Sequence, residues 1–191
     1  MSGFEAALAG AGAKEARKAL RRVFGRELST DEWKLAGRYD EEPKGDGWYL
    51  ARIDPADPLR LEHLPSGQKL VVPFKEILTD YASVPRLVQS VSAGADVVHF
   101  QATDYKDAAL LHDMLYAAAW CWAVKNGRAV RVPVTKRQAD GALYIALECS
   151  GATLADGLAY HGAVSLFGGG PWRRCRAQTP EWEPLFGEAT A

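Results

Sequence analysis

The sequence predicts an α+β domain: a small antiparallel β-meander, then a cluster of three or four helices, with a helical N-terminal arm outside it. Three observations carry this. Apolar residues alternate with polar ones from Gly47 to Phe74, the period of half-buried strands. Beyond residue 105 they recur at i, i+3 and i+4, the period of a helix with one buried face. Residues 1–25 are alanine-rich and only partly periodic. The expected boundaries are 1–46 for the arm, 47–176 for the main domain and 177–191 for an irregular tail.

Taken in order, residues 1–25 predict a helix whose second half, KEARKALRRVFGR, is basic and suited to docking on a neighbour. Ser29 with Glu32 three residues on resembles a capping box, so a short helix through Leu35 is expected, ended by Gly37. The polar run Asp40–Gly47 predicts a turn and the domain boundary. Three strands are expected in WYLARI (48–53), LRLEHL (59–64) and KLVVPF (69–74), with Pro65-Ser66-Gly67-Gln68 as a tight turn. Ser83 is suited to cap a helix with Pro85 in its first turn, which leaves Asp80 in the preceding loop.

The helical cluster follows. Thr103 or Asp104 is expected to cap a helix running to about Val124, stopped by Asn126-Gly127. RAVRVPV predicts an extended link. Thr135 caps a helix over 136–149 closed by Gly151, and a third runs from Thr153 to Phe167, ending at Gly168-Gly169-Gly170. The expected core includes Leu110, Leu111, Leu115, Leu143, Ile145, Leu147, Leu154, Leu158, Val164 and Leu166.

Composition narrows function. Acids and bases are interspersed and the formal net charge is -1, which argues against a general nucleic-acid or anionic-membrane binder. The three cysteines are far apart with no CxxC spacing, so neither a disulfide scaffold nor a cysteine zinc site is expected. No apolar run is long enough for a membrane span, and no secretory leader is expected at the N-terminus.

The stretch AALLHDMLYAAA (108–119) holds the densest chemistry. His112 and Tyr116 are four apart on one helix face, and Asp113 lies three before Tyr116. An acid and an imidazole in so apolar a helix are costly unless paired, hydrogen-bonded or metal-bound. The candidate site joins Asp80, His112, Asp113 and Asp140, with Ser83, Tyr116, Arg137 and Tyr160 around it. Three readings are open. The first is a buried network with a structural role, in which Asp113 pairs with Arg86 or Arg137 to hold helices in register and Arg137 with Asp140 forms only an exposed helix pair. In the second, Asp80, His112, Asp113 and Asp140 hold a divalent zinc, manganese or calcium ion that activates water for hydrolysis. A metal-free variant of it makes His112 with Asp113 the base for a Ser83 nucleophile. The third is binding of a small ligand or peptide.

Four landmarks stand in order: Thr79-Asp80-Tyr81-Ala82-Ser83-Val84-Pro85-Arg86, then Ala109–Tyr116 with its His112-Asp113, then Arg137–Asp140, then Tyr160 with Phe167-Gly168 and Trp172. Over residues 69–172 they resemble the domain-of-unknown-function family numbered thirteen fifty-three, common in tailed-phage and prophage genomes. The resemblance implies a phage or prophage protein encoded among tail or lysis genes. It would be made in the host cytoplasm and placed in the virion tail, with other phage structural proteins or its own copies as partners, in part through residues 1–25. The alternative it leaves open is a small hydrolase acting on the cell envelope. A narrower likeness is to secreted phospholipases A2, whose His-Asp-x-x-Tyr helix is similar to His112, Asp113 and Tyr116. There the His is the base, the Asp holds calcium and the Tyr orients the pair. This chain has Leu110 and Leu111 where that family has cysteines.

Overall fold

A computed structural model describes residues 30–81, 105–177 and 182–186. Within them, the chain begins with a 3-10 turn, Thr30–Glu32. Eight strands follow: β1 (Trp33–Ala36), β2 (Tyr39–Gly45), β3 (Trp48–Ile53), β4 (Arg60–His63), β5 (Gln68–Val71), β6 (Glu76–Thr79), β7 (Trp120–Lys125) and β8 (Arg128–Pro133). The helices are α1 (Lys106–Ala118), α2 (Lys136–Cys149), α3 (Leu154–Phe167) and α4 (Gly169–Ala177). The fold is α+β, as the periodicities require. The expectations for Ser29, Ser83, Thr103, Asp104 and the arm over 1–25 lie outside the described residues.

The meander is replaced by two antiparallel sheets. One has the order β1-β4-β5-β7-β8 and the other β2-β3-β6. The expected first strand, β3, therefore does not pair with the expected second, β4. It lies between β2 and β6, with Tyr39 opposite Ile53 on one side and Tyr49 opposite Thr79 on the other. The polar run expected as a turn is β2 itself, and residues 33–45 belong to the sheets rather than to a helical arm. β2 tolerates Pro43 because it is an edge strand, and the register shifts between Pro43 and Gly45. The short helix expected through Leu35 is likewise a strand. Four residues give too few helical bonds to repay nucleation, whereas β1 gains a full ladder from Trp33↔His63 to Ala36↔Arg60.

The helix expected to reach Val124 stops at Ala118. Ala119 takes a left-handed conformation, φ 58°, with its N–H bonded to the Leu115 carbonyl. Trp120–Lys125 then alternates as a strand, and Asn126-Gly127, both at positive φ (51° and 75°), turns a hairpin into β8 rather than ending a helix. The cap at Thr135 forms as expected, and Thr153 proves to be a cap as well; each is a reciprocal box, with Gln138 and with Asp156. Gly168 does end α3, but α4 begins at once, so the chain beyond Trp172 is helical to Ala177.

The core lies between the helices and the five-stranded sheet and includes Leu59, Leu61, Leu110, Leu111, Met114, Leu143, Leu147 and Val164. Leu166, expected there, is 78% exposed because it falls on the outer side of the last turn of α3. The opposite face of the sheet presents Trp120 and Trp122, whose rings meet at 5.3 Å. The segment 182–186 covers it: Leu185 donates its N–H to the Pro73 carbonyl, and Phe186 packs on Trp122. No helix among the described residues is long and apolar enough to cross a membrane.

Gly37 shows how tightly the crossing between the sheets is fitted. Its φ is +127°, and an added Cβ would lie 2.4 Å from the Leu59 Cα. Gly37→Ala is expected to cost about 3 kcal/mol in urea unfolding, from strain and overpacking together. Gly47→Ala, at φ +79° in open space, is expected to cost only about 1 kcal/mol.

Candidate functional site

Five elements converge on His112. α1 presents His112 and Tyr116 one turn apart, their rings 4.0 Å apart. α2 presents Lys136 and Asp140, also one turn apart, and Lys136 Nζ donates to Asp140 Oδ2 at 2.7 Å. Tyr116 Oη donates to Asp140 Oδ1 at 2.5 Å. Lys136 also donates to the Val164 carbonyl at 2.8 Å and the Ser165 carbonyl at 3.4 Å, at the C-terminal end of α3, where the helix dipole favours a cation. α4 contributes Trp172, edge-on to Tyr116 at 5.0 Å. From the end of β6, Thr79 Oγ1 donates to Asp113 Oδ2 at 2.6 Å and accepts the Tyr81 N–H at 2.9 Å.

Gly168 is part of this packing. Its φ of -68° is ordinary for any residue. Space is what demands glycine: an added Cβ would lie 2.5 Å from Tyr116 Oη and 2.3 Å from the Val164 carbonyl oxygen.

His112 is 2% exposed and Asp140 3% exposed. The imidazole sits between two carboxylates, Nε2 3.6 Å from Asp140 Oδ1 and Nδ1 3.9 Å from Asp113 Oδ1. Neither nitrogen is within hydrogen-bond distance of a partner among the described residues. Burial alone would push the His112 pKa down, but the flanking Asp113 and Asp140 outweigh it and hold it above its ordinary value. Burial also raises Asp140, and His112, Lys136 and Tyr116 together bring it below the usual carboxylate range. Asp140 thus faces the Lys136 ammonium on one side and the His112 imidazole on the other, both Asp140 and His112 being almost fully buried.

The sequence-predicted residues divide as follows. His112, Asp113, Tyr116 and Asp140 are brought together. Asp80 follows Thr79, and it is the Thr79 hydroxyl that reaches Asp113. Arg137 is exposed at the start of α2; Lys136, one residue earlier, is the base that meets Asp140. Tyr160 is buried and packs edge-on against Tyr105 at 6.1 Å. Among the described residues, no three His, Cys, Asp or Glu side chains are grouped to hold a metal ion. Lys136 was legible in principle, since it stands four residues before Asp140 on a capped helix.

A second polar cluster, unforeseen from sequence, latches β2 to the start of α1. Tyr39 Oη donates to Asp107 at 2.7 Å and Tyr81 Oη to Glu41 at 2.6 Å. Lys106 pairs with Glu41 and lies over the Tyr49 and Tyr81 rings. Burial, then these carboxylates, push both phenols far above the ordinary range.

The geometry defines a class: an α+β domain whose helices are held by a buried ionic brace. The family model described as "Protein of unknown function (DUF1353)" matches residues 56–164, more than half of the 191 residues, and the chain belongs to that family. No curated protein and no solved structure matches the chain.

The raised His112 pKa fixes a pH signature. Its stabilisation is complete below the ordinary value of 6.5 and is lost as pH rises through the folded-state value. Unfolding free energy should therefore fall over that interval in the native chain and stay flat in His112→Gln, as read by urea denaturation across pH. Asp140→Asn, which strips Lys136 and His112 of their shared counter-charge, is expected to cost about 3 kcal/mol at neutral pH.

Proposed function

We propose that this is a phage or prophage protein, a tail-associated virion component in which the His112–Asp140–Lys136 group is architecture. One observation carries the architectural part. Lys136 bridges Asp140 to the Val164 carbonyl while Asp140 takes the Tyr116 hydroxyl, so one buried carboxylate ties α1, α2 and α3 together. Both Asp140 oxygens are thereby committed within the protein. Family membership supports the phage origin, and with it other phage structural proteins as partners.

A second reading, a small His-Asp or metal-assisted hydrolase of the tail or lysis module, is favoured by the two unbonded ring nitrogens of His112. A neutral imidazole flanked by Asp113 and Asp140 is a stronger base than a free one, because both carboxylates favour its protonated form.

Elemental analysis of the purified chain and of Asp113→Ala separates the two. The architectural reading expects no stoichiometric metal in either protein, with Asp113→Ala less stable by roughly 1–3 kcal/mol from the groups left unpaired. About one equivalent of metal in the native chain, lost in the variant, would overturn it in favour of the hydrolase. Many ordered copies per particle, counted by quantitative mass spectrometry of virions, would support the virion assignment. Absence from particles would defeat it.

A further inference from the structure

The face of α1 that carries Leu111 and Leu115, rather than that of His112, lines a pocket shared with the five-stranded sheet. The paired registers place Leu70, Cys121 and Val132 on one face of the five-stranded sheet. Between these and Leu111, Leu115 and Ala142 lies a cavity of about 410 Å³. Packed interiors leave few voids larger than a water molecule. At about 30 Å³ per water in the liquid, 410 Å³ equals the space of roughly a dozen such groups. Its wall is apolar and offers water few partners, which is the composition of a ligand pocket rather than a hydrated void.

The mouth is polar and has a sign. Glu32, His63 and Gln68 line it. His63 Nδ1 bonds Ser66 Oγ at 2.8 Å, and its ring packs on Trp33 at 4.8 Å, so the imidazole is fixed. Its Nε2 lies 3.5 Å from the half-exposed Glu32 carboxylate. An incoming head group therefore meets a carboxylate. A hydroxyl or ammonium head would donate to it, and an anionic head would be repelled. Inside, burial pushes the Cys121 thiol up to about 11, so it is an inert wall and not a nucleophile.

We infer that this cavity binds a small amphiphile, an apolar body under a hydroxyl or ammonium head. The inference is independent of the architectural reading, since none of its residues belongs to the His112 brace.

The test uses the full chain and the neutral dye N-phenylnaphthylamine. Its fluorescence should rise saturably, with decanol and decylamine displacing it well ahead of decanoate. Val132→Trp fills the cavity from a half-buried edge position and should weaken dye binding by about tenfold. Glu32→Gln should leave dye binding intact and narrow the gap between decylamine and decanoate. Circular dichroism melts establish that both variants fold; should Val132→Trp fail there, Leu70→Phe takes its place. Absence of saturable binding by the native chain would overturn the proposal. So would unchanged binding in the folded filling variant, or displacement by decanoate as effective as by decylamine. Dye response that tracks self-association in sedimentation would assign the apolar surface to contact between copies instead.

Discussion

The helical half of the molecule depends on keeping the charge of Asp140 in the interior. A carboxylate that is 3% exposed has lost nearly all its water and must recover the equivalent from protein donors. It does so through Tyr116 from one helix and Lys136 from its own. Lys136 in turn is held by carbonyls at the end of a third helix. Each partner thus fixes the next, and the angles between α1, α2 and α3 follow from the chain of contacts. Gly168 is bound into the same constraint, because any side chain there would strike the Tyr116 hydroxyl.

The sheets are organised by repeated crossing. The chain runs from the larger sheet in β1 to the smaller in β2 and β3, returns in β4 and β5, leaves in β6 and comes back after α1 in β7 and β8. Such interleaving makes the two sheets one structural unit. The linkers at 37–38, 54–59 and 72–75 are short, and backbone bonds tie them down, as in Arg38 N–H to the Asp57 carbonyl and Ile53 N–H to the Lys75 carbonyl. β6 gains a second role from this layout. Its last residue, Thr79, is 2% exposed and delivers a hydroxyl to Asp113, joining the smaller sheet to the helical brace.

Two sides of α1 carry different chemistry. The His112 side is filled with compensating charge, and the Leu111 side opens on an apolar cavity. The first is suited to fixing shape and the second to taking up a molecule. Successive residues of one helix point about 100° apart, so a single segment lines both without sharing side chains.

The sequence by itself determined the α+β class, the helix capped at Thr135, and the placing of His112 and Tyr116 on one helix face with Asp113 beside them. These are local facts: periodicity, caps and the cost of polar groups in an apolar helix act within a few residues. Tertiary structure alone decided that Trp33–Ala36 and Tyr39–Gly45 are strands, since a strand's stability lies in partners distant along the chain. It likewise turned Trp120–Val124 from the tail of a helix into an interior strand, where β5 and β8 supply the ladders. The choice of Lys136 rather than Arg137 as the counter-ion was equally non-local. Both stand at the start of α2, and only the position of the end of α3 makes one of them the bridge.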